Sequence, residues 1–234
     1  HDPVRGWLRY AFGTNLLVSG LGLTAGIALA RALGPKGKGE VFTILLWPQT
    51  FAWLGSLGLE NTNVFSLGRS PESGPKVFAN SLSVSLFLGL LIAGLGQFFI
   101  APLIRSNDPR VISLARVCLL VAPFLLFSNY LPSILQGSQR TDLFNLLRTA
   151  NMRVWVAPLI FLSLSSALSV QRAVFVWLAT IGLTIGFGVS LVTKVTSLGA
   201  KPDPNLLKSS LAYGLKTHAG NASAQLNARL DQML

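Results

Sequence analysis

Five polar residues near the end of the chain, His218, Asn221, Gln225, Arg229 and Gln232, follow one another at spacings of 3, 4, 4 and 3. At 100° per residue they share one narrow wedge of a helix, a line of amides carrying one permanent cation. Such a line suits an anion with a polar body. A guanidinium presents five N–H donors in a fixed fork that matches phosphate oxygens, while side-chain amides serve hydroxyl groups. Asp231 lies two residues beyond Arg229 and points roughly the other way, towards the side of Lys216, Ser223 and Asn227, so the two charges do not pair across a turn. A carboxylate there suits ion coupling or the pairing of its helix with a neighbour.

A second polar line runs through Gln49, Ser56, Glu60 and Asn63, at offsets of 0, 7, 11 and 14. Glu60 is its charged member and a second candidate for ion coupling or helix pairing. Shorter lines occur at Asn15, Ser19 and Gly22, and at Asn129, Ser133, Gln136 and Arg140. Polar faces on several helices suggest a shared, wet chamber. Arg229, Arg153, Gln225, Asn221 and Gln49 are the candidate lining residues, and cations there imply an anionic cargo.

The elements that carry these lines lie in a chain of 234 residues that is 51% hydrophobic and 12% charged, with mean hydropathy +0.56. That balance belongs to integral membrane proteins. A helix crosses the hydrocarbon core in about 20 residues, and six uncharged runs reach or approach that length: Tyr10 to Ala30, Val41 to Leu59, Val77 to Ile104, Val117 to Leu135, Val154 to Leu168 and Ala173 to Thr193. The fifth is too short unless its helix begins near Asp142. It then carries Arg148 and Arg153 into the bilayer, where snorkelling is expected of Arg148 and a chamber-facing role of Arg153. No run alternates as the strands of a membrane barrel do, so the expected fold is all-α, a polytopic membrane helix bundle.

Lysine and arginine, counted over alternate connections, number 11 on one side and 7 on the other. The bias places the N-terminus in the cytoplasm. Residues 1–193 are expected to form one transmembrane lobe, 194–206 a cytoplasmic linker and 207–234 the start of a second lobe. His1 rather than Met opens the chain, so residues are expected to precede it. Gly22 with Gly26, and Gly182 with Gly186, have the spacing that lets membrane helices approach closely. Pro48, Pro123, Pro132 and Pro158 should kink their spans.

Several function classes find no support in these residues. The net charge of +11 sits on loops and helix ends of a membrane bundle, so anionic lipid is the expected counterpart rather than nucleic acid. "GPKGKGE" at residues 34–40 has glycines at phosphate-loop spacing but continues with Glu40 and Val41 where Lys and Ser or Thr are required, so it is expected to be a loop of turn residues. Two histidines and the lone Cys118 make no metal set and no internal disulfide. Asn221-Ala222-Ser223 falls within a predicted span and is a chance match to a glycosylation acceptor. No catalytic triad can be nominated, and the longest connection, 194–206, offers Asp203 as its single carboxylate, which argues against a membrane glycosyltransferase. No enzyme activity and no cofactor are expected.

Three stretches carry a resemblance: "ARALGPKGKGE" after the first run, "LGSLGLENTNV" late in the second and "LAYGLKTHAGNASAQLNARLDQML" at the end. Together they resemble the polysaccharide transporter family of oligosaccharide flippases, in the superfamily that includes the multidrug and toxin extrusion (MATE) proteins and the lipid II flippase. The resemblance implies the six-helix N-terminal lobe of a MATE-like two-lobe transporter plus the start of helix seven, with the remainder of a second lobe to follow. It implies a cargo of polyprenyl-pyrophosphate-linked oligosaccharide, moved from the inner to the outer leaflet of the cytoplasmic membrane by alternating access. Such transport serves O-antigen and lipopolysaccharide, capsule or exopolysaccharide synthesis, with a polysaccharide polymerase and chain-length machinery as further partners. A cation-coupled multidrug exporter and a lipid II flippase are the alternatives within the same superfamily.

Overall fold

The computed structural model describes the backbone of residues 3–104 and 108–230 and the side chains of residues 12–104 and 108–218. Among the described residues every regular element is helical: α1 (Pro3–Gly55), α2 (Leu59–Arg69), a 3-10 turn (Pro71–Ser73), α3 (Gly74–Ile104), α4 (Pro109–Leu120), α5 (Ala122–Gly137), α6 (Thr141–Leu164), α7 (Val170–Val192) and α8 (Pro204–Leu230). The all-helical expectation is met. Phe12–Gly55, Pro71–Ile104 and Val170–Val192 are long and apolar enough to cross a membrane, and the pair α4 and α5, bent by 54°, makes a fourth span if it crosses as one. Outward-facing apolar side chains such as Phe87, Phe98, Phe161 and Leu164 are largely exposed, as the lipid-facing skin of a multi-pass membrane protein requires.

α1 is two helical limbs joined at Gly34, whose φ of 69° and ψ of −179° leave the helical region. Only glycine adopts that backbone without strain. Pro35 then restarts the helix, because its fixed φ and missing N–H suit a first turn. The expected loop at residues 34–40 is therefore a single-residue break, with the rest of "PKGKGE" already helical. A second interruption separates α1 from α2, where Leu57 and Gly58 both take positive φ, 52° and 71°. That break resets the helical phase. Asn63, expected on the line from Gln49, turns instead into the protein, where its two amide N–H groups donate to Ser81 Oγ at 2.9 Å and Ser133 Oγ at 3.2 Å. In an apolar setting these bonds tie α2 to α3 and α5.

Two of the helix starts follow from local chemistry. Asp108 accepts from the Arg110 N–H and Ser169 from the Arg172 N–H, capping α4 and α7. α6 begins at Thr141, where the short fifth run needed it. The glycine pairs do not act as expected: a Cβ at Gly22, Gly26, Gly182 or Gly186 would meet nothing within 4 Å. Close helix approach uses other glycines, Gly89 against Pro123 of α5 and Gly188 against Leu131.

α8 docks its first turns on α2 and α3. Thr62 Oγ1 donates to Ser210 O at 3.1 Å, and the Phe65 and Tyr213 rings stack at 5.0 Å. Asn80 exchanges two hydrogen bonds with the Asp203 backbone, donating to its carbonyl at 3.1 Å and accepting from its N–H at 2.8 Å. Lys76 Nζ lies 2.9 Å from Asp203 Oδ2, and Asp203 Oδ1 also accepts the Asn205 and Leu206 N–H groups. The bond from Lys76, then that from the Leu206 N–H, holds the Asp203 carboxyl below the usual carboxylate range. A depressed folded-state value means that the carboxylate's contribution is present above the ordinary value, about 4, and is lost as pH falls through the lowered one. Hydrogen exchange over residues 204–210, corrected for its intrinsic pH dependence, should therefore rise on acidification. Asp203→Asn should show raised exchange already at neutral pH and lose the pH dependence.

Candidate functional site

Inside the bundle lies a cavity of about 880 Å3. The first limb of α1 supplies Gly22, Ala25, Gly26 and Leu29, a wall kept thin by glycine. The second limb adds Val41 to Trp53, including Gln49, and α5 adds Leu125, Ser128 and Asn129. α6 contributes Asn151, Met152 and Trp155, and α7 contributes Trp177, Thr180 and Ile181. Ser56 and Glu60 line its end at the break between α1 and α2. Three of the chain's five tryptophans thus face one space together with the three amides Gln49, Asn129 and Asn151. Asn151 is oriented by donating to Thr184 Oγ1 of α7 at 3.0 Å.

The end near Glu60 is the most polar part. Ser56 Oγ lies 2.8 Å from Trp53 O and 3.2 Å from Glu60 Oε1, so its one hydroxyl proton serves one oxygen or the other. The fully buried Tyr130 donates its hydroxyl to Ser56 O at 3.1 Å, which fixes the turn from the α5 side. Glu60 Oε2 and His218 Nε2 are buried and find no hydrogen-bond partner among the described residues. The His218 ring packs on Trp53 at 4.7 Å. Above it, α8 crosses the α1–α2 break at backbone distance: a Cβ at Gly58 would lie 2.4 Å from Gly214 O, and one at Gly214 would lie 2.6 Å from Leu57 O.

The candidate residues are distributed unevenly. Gln49 and Glu60 line the cavity. Arg153 does not; it is exposed because it stands about 100° to 160° around α6 from Asn151, Met152 and Trp155. Arg148, expected to snorkel, is the arginine on the cavity-facing side of α6, and its Nη1 donates to Asn15 Oδ1 of α1 at 2.6 Å. The backbone of Asn221, Gln225 and Arg229 is helical within α8, while their side chains, and Asp231 and Gln232 entirely, lie outside the described residues. The described lining therefore holds one charged group, the carboxylate of Glu60, and no cation. The positive chamber expected from the sequence is not found in this part of it.

Trp53, Trp155, Trp177 and Asn151 were not singled out by the sequence. For α6 a signal exists: Arg148, Asn151 and Trp155 are spaced by 3 and 4, but the uncharged run begins only at Val154, beyond the first two of them. The tryptophans come from three separate helices and share nothing in sequence that would group them.

In fold, the chain is similar to a crystal structure titled MATE in the bent conformation, with a TM-score of 0.69 at 22% sequence identity; the likeness covers 97% of this chain and 55% of that one. The chain thus spans little more than half the length of that structure. No curated protein matches it. The family model described as polysaccharide biosynthesis protein matches residues 4–234. With a match over nearly its whole length, the chain belongs to the polysaccharide biosynthesis protein family, on a MATE-like membrane helix bundle.

Proposed function

We propose that the chain is the first lobe and the opening helix of a flippase that carries a polyprenyl-pyrophosphate-linked oligosaccharide from the inner to the outer leaflet. The observation that supports this best is the lining of the cavity. Indole faces stack on the C–H faces of sugar rings, and amides match hydroxyl groups as both donor and acceptor. Trp53, Trp155 and Trp177 with Gln49, Asn129 and Asn151 supply that combination, and the family supplies the setting, polysaccharide biosynthesis. The cavity would hold the glycan while the isoprenoid tail stays in lipid. Movement of two negative charges outward across an inside-negative membrane is favourable by roughly 4 to 5 kcal/mol per 100 mV. The N-terminus lies in the cytoplasm in this reading, the membrane is the inner one, and a polymerase with its chain-length machinery takes up the product. Residues 1–193 form the first lobe, and the start of the second is α8, which begins at Pro204, inside the stretch 194–206 expected as linker.

Arg229, with Asn221 and Gln225 on the same wedge of α8, is assigned to the pyrophosphate. Arg229→Ala should lower glycan export by about ten-fold or more, the loss expected of a charge-assisted contact, at unchanged membrane abundance. Arg153→Ala, which removes an exposed cation on the far side of α6, should leave export within about two-fold. Normal export by Arg229→Ala removes the assignment. One observation favours a second reading: the single charge in the described lining is the carboxylate of Glu60, among tryptophans suited to an organic cation. A cation exporter would show as Glu60-dependent resistance to lipophilic cations with glycan export untouched.

A further inference from the structure

Beneath the first two turns of α8 is a second cavity, of about 10 Å3, the room that one water molecule needs. Four polar residues share its wall with apolar side chains: Asn63 of α2, Asn80 and Ser81 of α3, and Ser210 of α8. All four are more than nine-tenths buried. Polar groups buried this deeply are costly to leave without a partner.

Their contacts with the rest of the protein leave one hydrogen-bonding group on each. Asn63 gives both amide N–H groups away, to Ser81 Oγ and Ser133 Oγ. Ser133 spends its own proton on Tyr130 O at 2.7 Å, so the amide edge facing it is the N–H edge, and Asn63 Oδ1 is left over. Ser81 accepts from Asn63 and keeps its hydroxyl proton. Asn80 uses one N–H and its Oδ1 on the Asp203 backbone, which leaves its second N–H. Ser210 accepts from Thr62 through its carbonyl and keeps its hydroxyl. These four groups have no further partner among the described residues.

One acceptor and three donors thus border a space the size of one small molecule. A water has two protons to give and two lone pairs, so it can donate to Asn63 Oδ1 while accepting from the hydroxyls or the Asn80 N–H. A cation suits the wall poorly. No carboxylate lines it, and the Asn80 N–H presents a positive edge where oxygen ligands are needed.

We propose that this cavity is the site of one ordered water that completes the hydrogen bonding of Asn63, Asn80, Ser81 and Ser210 and so seats α8 on α2 and α3. The assignment goes beyond the flippase reading and does not rest on it. A bond to a bridging water is remade with bulk water at little cost. A helix seated in this way leaves its neighbours more easily than one in dry contact, which separates only by exposing apolar surface.

The test is X-ray radiolytic footprinting of the purified protein in nanodiscs, read by mass spectrometry. Hydroxyl radicals made from a bound water oxidise the side chains beside it, however deeply they are buried. Leu59 and Val77, each 3% exposed and both on the cavity wall, should be labelled, while the equally buried Leu67 and Leu135, which line neither cavity, should not. Ser210→Val adds a methyl group to the wall and should abolish the labels on Leu59 and Val77. The same change at the exposed Ser209, outside the wall, should retain them. Leu59 and Val77 labelled no more than Leu67 and Leu135 in the unaltered protein overturns the proposal, and that comparison decides the matter alone if Ser210→Val fails to fold. Persistence of the labels in folded Ser210→Val overturns it too, as does their equal loss in Ser209→Val. Replacing sodium with choline should leave Tm unchanged; a sodium-dependent rise in Tm that Ser210→Val removes would put a cation in place of the water.

Discussion

Replacing Gly89 with valine should leave almost no folded protein in the membrane. A Cβ at this position would lie 2.3 Å from Pro123 Cα and 2.5 Å from Pro123 N, distances that no side-chain rotation can relieve because both atoms belong to the backbone. Pro123 is in the first turn of α5, directly after the 54° bend that joins α4 to α5. Neither partner can yield, since α3 is held to the other helices by the Asn63 bonds to Ser81 and Ser133. Overpacking a core by one or two methylenes costs about 1 to 3 kcal/mol; forcing two helix backbones apart affects every contact along their crossing. Against a net stability of about 5 to 15 kcal/mol, that is enough to abolish the fold. Gly94 is the control. It lies on the same helix, but a Cβ there would meet nothing within 4 Å, so Gly94→Val should accumulate normally. Size-exclusion profiles and thermal unfolding in detergent would show the contrast, and a monodisperse Gly89→Val protein of normal stability would contradict the packing described for α3 and α5.

The largest functional effect should come from Glu60→Gln, with loss of all transport driven by an ion gradient. The carboxylate is the one charged group of the described cavity lining, and its buried Oε2 finds no hydrogen-bond partner among the described residues. A buried carboxylate oxygen at a cavity wall is a point of attachment for a coupling cation. The one hydroxyl proton of Ser56 reaches either Trp53 O or Glu60 Oε1, so Ser56 supports the carboxylate from the other side. Glutamine keeps the shape and cannot exchange the charge. Glu60→Gln proteoliposomes should bind cargo but fail to accumulate it under a proton or sodium gradient, and undiminished gradient-driven transport would remove Glu60 from coupling. Asp231→Asn in the same assay assigns the second carboxylate: altered gradient dependence makes it a coupling group, and lowered thermal stability with normal dependence makes it a helix-pairing one.

Much of this architecture could be read from residue order, and the reasons for the exceptions are local. The span limits followed from hydrocarbon thickness, and the need for α6 to begin near Thr141 followed from the shortness of its apolar run. Helical phase was trustworthy only within an unbroken helix. Gln49 faces the cavity as expected, but Asn63 does not, because two positive-φ residues at 57 and 58 intervene. Depth along α6 does not tell Arg148 from Arg153, but angle does: Arg153 stands on the far side of the helix from Asn151 and Trp155, and neither arginine is among the residues that line the cavity. The gathering of Trp53, Trp155 and Trp177 is a product of tertiary packing alone. Family resemblance through the "RLD" stretch named the superfamily, yet the side chains of that stretch fall outside the described residues, so the assignment of Arg229 rests on spacing.

The break at Gly34 has a mechanical consequence. One glycine joins two limbs of α1 that together form much of the cavity wall, and a hinge of one residue contains no slack. The tips on either side of it cannot drift apart, so the limbs can separate only by swinging about that point, like the arms of a pair of tongs. An arm of about 20 residues is about 30 Å long, so a swing of about 10° moves its free end by about 5 Å while the joint itself barely shifts.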